Sequence, residues 1–332
     1  MPKKAADRFH GQMELTAIGN TQVQVGPLCF GTSGIGDMPD TYGYGVDEAR
    51  ALETIRAILT SSVGFLDTAR AYGFGRSEER IGKVIREMGG LPKGFVLATK
   101  LDRDLNTRVF DGDQARRSLE QSLTALGLDR VPILQLHDPE YAESLEEVAG
   151  PKGALAEMFK MKEEGFADAV GLAAGNVEIM MDLVRDWDFD SLITHNRFML
   201  TNRNAEPLMD LAQARGVAVL NAAPYAGGVL AKGVSEYPRY VYQQASEEAL
   251  APARQVEAVC QRHGIPMGAA ALQFSMRDPR VASTICGVSK PERVAQTLEW
   301  ATWEIGEEVW KELMAIPYSM EDPEASRDYK PG

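Results

Sequence analysis

From Leu28 onward one unit recurs along the chain: a short apolar run, a polar turn, then a stretch with the periodicity of an amphipathic helix. The apolar runs fall at 28–31, 63–67, 95–100, 133–137, 169–173, 191–196, 217–222 and 283–287, eight in all. The helical stretches fall at 47–61, 77–87, 111–126, 152–164, 177–186, 205–214, 247–263 and 291–300, with a further short one at 307–314. Asp113 and Ser77 read as helix starts, and Gly127, Gly165 and Gly216 as stops. Strand and helix alternation demands parallel strands joined by right-handed crossovers. Eight such units fit a closed α/β barrel, the (β/α)8 TIM barrel, better than a doubly wound sheet. A small β-hairpin is predicted ahead of it, over 13–25 around Gly19 and Asn20. Residues 226–246 interrupt the repeat as a long Gly- and Tyr-rich connection of the kind that carries function or moves. No linker divides the chain, so 1–332 reads as one domain with flexible ends at 1–12 and 319–332.

Composition narrows the partners. A net charge of -13 describes an acidic surface that repels nucleic acid phosphates and anionic lipid, so neither nucleic acid nor membrane is an expected partner. No apolar run approaches the ~20 residues of a bilayer span, and 1–12 has no apolar core after its basic residues, which points to the cytoplasm. Cys29, Cys260 and Cys286 form no CxxC pair, and His10, His137, His195 and His263 form no HxxxH pattern. Neither a disulfide framework nor a metal site is expected. Oligomeric state is open.

The barrel reading has a chemical consequence, because the C-terminal ends of its strands converge on one mouth. Asp67 ends the second run with Tyr72 just beyond it, Lys100 ends the third and His137 ends the fourth. A lysine beside a tyrosine stabilises the phenolate and lowers the tyrosine pKa, an aspartate holds the ammonium, and a histidine directs a carbonyl oxygen or relays a proton. Singly, each residue has a plainer reading: a half-buried packing tyrosine or a solvated lysine at a strand end. The glycines of AYGFGRSEERIG mimic a dinucleotide fingerprint, but their spacing is wrong and no βαβ context follows.

The segment DTARAYGFGRSEERIG resembles the DTAxxYGxGxSExxxG signature of the aldo-keto reductase superfamily, and VLATK and LQLHDPE resemble its lysine and histidine strands. The resemblance implies a (β/α)8 barrel in which Asp67, Tyr72, Lys100 and His137 form a tetrad for hydride transfer with a nicotinamide cofactor. Tyr72 is then the general acid in reduction and the base in oxidation. Cofactor contacts implied by the resemblance are Gly31 and Thr32 at the first strand's GT, Asp67 in a second role, and Pro224, Gly228 and Leu230 in NAAPYAGGVLAKG. Asn196 stands near the family's sixth-strand Gln. The family's fifth-strand GxSN is Gly171, Leu172, Ala173 and Ala174 here, so the usual Ser and Asn are missing. Asn176 lies nearby, as a substitute contact or a helix N-cap. Ala222 replaces a common stacking aromatic.

After the eighth run, GVSKPERVAQT resembles the family's adenosine-phosphate loop, with Gly287, Ser289, Lys290 and Arg293 as contacts. Lys290 and Arg293 favour NADP(H), with NAD(H) left open; the plainer reading is a helix start with ordinary surface charges. NAAP and HDPE resemble the branch containing the L-fucose, D-threo-aldose and L-galactose dehydrogenases. The expected substrate is a small carbonyl compound or sugar, with Tyr225, Tyr237, Tyr240, Tyr242, Arg197 and Asp138 as possible contacts or, for the tyrosines, as loop packing. The rival reading is a nucleotide-binding redox sensor or regulatory barrel with little turnover.

Overall fold

A computed structural model describes residues 14–326, so the expected loose lead-in at 1–12 lies outside the described residues. Eight parallel strands close into a barrel: β1 (Leu28–Gly31), β2 (Phe65–Asp67), β3 (Val96–Leu101), β4 (Val131–His137), β5 (Ala167–Ala173), β6 (Ser191–His195), β7 (Ala218–Ala222) and β8 (Val281–Gly287). Closure is made where Cys286 of β8 pairs with Phe30 of β1 and Gly287 pairs with Gly31. Helices on the outside and packed side chains inside leave no solvated face, which is why β2 and β3 are buried at every position.

All nine helical stretches read from periodicity are present, with ends displaced by a few residues. The cap of Gly112–Leu126 is Asp111, whose side chain accepts from the Gln114 amide, and Asp113 sits in the first turn. Ser77 lies within Arg76–Glu87, where its buried hydroxyl serves the site described below. Those two helices touch at Gly82, where an added Cβ would stand 1.9 Å from the Ala125 carbonyl oxygen. Only glycine permits that approach.

One helix was not legible. Met267–Arg277 buries every residue from Gly268 to Met276 and therefore shows no polar face from which a period could be read. The hairpin pairs Thr16–Ala17 with Gln24–Val25 and packs at Asp190, the residue before β6, away from the strands' C-terminal ends. The long connection after β7 is partly ordered into a helix, Val229–Lys232, and a hairpin pairing Arg239–Tyr240 with Gln243–Gln244.

The C-terminal segment departs from the expectation of a flexible end at 319. Residues 319–326 pack on the segment after β6, with Glu324 at the cavity wall: Ser319 bonds the backbone of Thr201 and Arg203 at 3.1 and 2.8 Å, and Arg197 pairs with Asp322 at 2.6 Å. The acidic residues that make this stretch read as solvated have buried partners far away in sequence. No helix among the described residues is long and apolar enough to cross a membrane.

Candidate active site

The C-terminal strand ends open into a cavity of about 550 Å³. At its floor β2 ends in Asp67, and β3, paired with it in parallel, presents Lys100. Lys100 is 2 % exposed, and its Nζ donates to both Asp67 oxygens at 2.9 and 2.8 Å and to the Thr68 carbonyl at 2.7 Å. The same Nζ lies 3.0 Å from the Tyr72 hydroxyl. His137, at the end of β4, meets the Tyr72 ring edge-on with centroids 5.7 Å apart. The four residues expected to form a tetrad therefore converge in one connected group.

The turn that carries Tyr72 is held from several sides. The Thr68 amide donates to Ala98 of β3, the Ala71 amide to the Asp102 carboxylate at 2.7 Å, and the Ser77 hydroxyl to the Thr32 carbonyl at 3.0 Å. Gly73 has φ +60°, and a Cβ there would stand 1.9 Å from the Gly36 carbonyl oxygen, so the chain can turn at this point only on glycine. Arg76 closes the contact by donating to the Gly36 and Asp37 carbonyls. The phenol is thus aimed by backbone contacts on both sides of it.

Protonation follows from burial and neighbours. Burial raises the Asp67 carboxyl, and Lys100 offsets this only in part. Tyr72 is pushed well above its usual range by burial and then by Asp67, with smaller contributions from Tyr42, Asp138 and Asp102. This corrects the expectation that Lys100 leaves the phenol acidified: burial and then the nearby carboxylates outweigh the ammonium, and Tyr72 stands as a protonated donor. Burial alone would lower the His137 imidazole, but Asp138 and Asp102 outweigh it and hold it above its ordinary value.

Of the cofactor residues expected from the resemblance, Gly31, Thr32, Gly228, Gly287, Ser289, Lys290 and Arg293 line the same cavity, at the end formed by β1, β7 and β8. Asn176, Asn196, Pro224 and Leu230 are not brought to its wall. Asn176 is the N-cap of Val177–Asp186, its side chain accepting from the Ile179 amide. Asn196 is buried at φ +57° and donates to Glu324 at 2.6 Å. Ala173, Ala174 and Ala222 do line the cavity, so the fifth strand offers no side-chain amide there.

Among the residues considered for a sugar, Tyr225, Tyr242, Arg197 and Asp138 line the cavity. Tyr240 is spent on Thr201 at 3.0 Å, and the Tyr237 ring carries the Lys232 ammonium 4.0 Å from its centroid. Sequence reasoning missed Lys232, Glu324 and Asp102. Lys232 joins Lys290 and Arg293 on the wall, and its pKa is lowered by burial and then by Arg293, Lys290 and Arg239. Asp102 had a readable signal: side chains alternate along a strand, so a residue two beyond Lys100 falls on the same side. Glu324 had none.

The family model described as the aldo/keto reductase family matches residues 27–317. Among curated proteins the chain is 28% identical over 312 residues to an L-galactose dehydrogenase of Arabidopsis thaliana, covering 92% of this chain and 94% of that one. It is 29% identical over 294 residues to a D-threo-aldose 1-dehydrogenase of a Pseudomonas species, covering 80% and 87%. Among solved structures, an aldo-keto reductase of Bacillus halodurans in its holo form superposes with a TM-score of 0.74 at 20% identity, covering 95% of this chain and 99% of that one, a likeness of fold.

Proposed function

The chain belongs to the aldo/keto reductase family, and from that premise we propose that this oxidoreductase interconverts a small aldehyde, ketone or aldose and the corresponding alcohol or lactone, using NADP(H). The observation that carries the reading is the buried contact of Lys100 with Asp67 and the Tyr72 hydroxyl beside His137, at the floor of a cavity whose other end is cationic.

The residues present fit a phosphate-bearing nucleotide. Burial and then the nearby charges of Arg293 and Lys290 lower the Lys232 pKa, with Glu236 acting against the shift. Such a cup is relieved by a phosphate dianion, which is the argument for NADP(H) over NAD(H). Gly31, Gly228 and Gly287 let backbone approach a ligand on the cavity wall. When bound, the nicotinamide supplies or takes the hydride.

The chain's own residues govern the proton. In reduction Tyr72 gives its hydroxyl proton to the substrate oxygen as the carbonyl carbon becomes an alcohol carbon. The tyrosinate left behind is stabilised by the Lys100 ammonium 3.0 Å away, and Asp67 keeps that ammonium in place. In oxidation the same pair runs backwards, with tyrosinate accepting the alcohol proton. His137 lies at the wall beside the phenol, where it can hold the substrate oxygen. Sugar relatives and the polar wall of Asp138, His195 and Arg197 favour a hydroxylated substrate over an apolar one.

The test is turnover. Purified protein is expected to oxidise NADPH with a panel of aldehydes, or to reduce NADP with a panel of aldoses. Tight nucleotide binding without turnover on either panel would favour a regulatory barrel instead.

A further inference from the structure

Asp102 follows β3 and is 4 % exposed, yet no step described so far uses it. Its carboxylate oxygens have separate tasks: Oδ1 meets His137 Nδ1 at 2.6 Å, and Oδ2 accepts the Ala71 amide at 2.7 Å, one residue before Tyr72. Its own backbone is clamped by the helix Gly112–Leu126, where the Ser118 hydroxyl accepts from the Asp102 amide at 2.9 Å and the Gln114 side chain donates to its carbonyl at 3.0 Å. A carboxylate so placed cannot swing away from either partner.

We propose that Asp102 is the positioning residue of the proton centre, fixing in one side chain both the Nδ1 proton of His137 and the backbone that aims Tyr72. An ionised carboxylate only accepts, so the hydrogen bond at Nδ1 requires the imidazole proton to sit there. Neutral His137 then offers Nε2 to the cavity as an acceptor, and it becomes a donor at Nε2 only as imidazolium. A substrate carbonyl oxygen needs donors, and since an alcohol's one proton goes to tyrosinate, the oxygen needs a donor from His137 in that direction too. Asp102 thereby ties the hold on the substrate oxygen to the charge on His137: a donor at Nε2 is present below the imidazole pKa and is lost as pH rises through it.

The surroundings agree with this assignment. Asp138 Oδ2 lies 3.8 Å from His137 Nε2, too far for a hydrogen bond, so it adds a field without competing for the proton. Asp102 and Asp138 both raise the imidazole pKa, while burial and the Lys100 ammonium lower it. Asp67 is the other carboxylate whose charge is felt there, and the Tyr72 ring covers His137 edge-on. In turn, burial raises the Asp102 carboxyl, but His137, the Ala71 amide and Lys100 bring it below its usual value. The same contacts that hold Asp102 therefore favour its ionised, hydrogen-bond-accepting form.

The proposal rests on the oxidoreductase reading for its consequence but not for its test. The full chain is labelled with 15N-histidine, and His137→Gln identifies the His137 signals among the four histidines. The expected result is a neutral imidazole protonated on Nδ1 and a titration above the ordinary pKa. Asp102→Asn should lower that pKa by about one to three units, the range for loss of an adjacent charge, and Asp102→Glu should restore most of it. The alkaline limb of reductive kcat should move down by the same amount in Asp102→Asn. A wild-type imidazole protonated on Nε2, or an unshifted titration in Asp102→Asn, would overturn the proposal. If Asp102→Asn does not fold, the wild-type tautomer decides alone. Absence of turnover in every variant would sink the oxidoreductase reading and leave the tautomer result standing.

Discussion

The two ends of the cavity solve opposite electrostatic problems. At the proton end the polar groups are held by partners already in place, Lys100 on Asp67 and His137 on Asp102, each pair almost wholly buried. At the other end Lys232, Lys290, Arg293 and the nearby Arg239 repel one another. The first end is organised by its own side chains, and the second carries the unbalanced positive charge on which the proposal of an anionic nucleotide rests. On the proposed function, the chemistry that must be aimed is kept among paired groups, and affinity for the nucleotide comes from the excess of charge at the other end.

The largest effect should come from breaking the balanced end. Lys100→Met removes the cation that stabilises tyrosinate and leaves Asp67 buried without its partner. Turnover should fall by about 10²- to 10⁴-fold, the range for a lost acid or base. Stability should drop by about 3–5 kcal/mol, as for a broken buried pair. Nucleotide affinity, measured by fluorescence titration, should hold. If affinity falls as far as rate, the two ends are not separable.

Arg293→Ala should do the reverse. NADPH affinity is expected to weaken by about 10- to 100-fold, as charged hydrogen bonds of about 1.5–3 kcal/mol imply, with the rate at saturation kept. NADH affinity should change much less, and the difference between the two cofactors should shrink as salt is raised. Equal losses for both would place the phosphate elsewhere.

A smaller effect concerns pH. Because the Lys232 pKa lies below the usual lysine value, the ammonium loses its proton earlier than other lysines as pH rises. A bound phosphate favours the charged form, so nucleotide affinity should be greatest below that pKa and fall as pH climbs through it. Lys232→Met should flatten this alkaline limb of the binding curve; an unchanged limb would assign it to another group.

The smallest prediction separates a cap from a contact. Asn176→Ala should cost about 1 kcal/mol in thermal or urea unfolding, as loss of an N-cap does, with nucleotide affinity unchanged. A large loss of affinity would return Asn176 to the cofactor.

How much of this was legible follows the same division. The barrel was readable because eight strands buried on both faces leave short apolar runs, and most crossover helices keep a polar side. Met267–Arg277 was not, since burial on all sides removes its period. The proton end was readable because its residues sit at strand ends, where the fold itself brings them together. Even so, the protonation of Tyr72 was misjudged, because sequence shows that a lysine is near but not how deeply the phenol is buried. The tail was illegible: Glu324 meets Asn196 and Arg197 across more than a hundred residues, with no local pattern to announce it.

The central claim is that Tyr72 moves the proton while the opposite end holds the nucleotide. Its most direct test is a single-turnover measurement of NADPH oxidation by a saturating carbonyl substrate, comparing the wild-type chain with Tyr72→Phe. The account predicts a rate lower by about 10²- to 10⁴-fold in the variant with NADPH affinity intact. A variant that transfers hydride at the wild-type rate would contradict it.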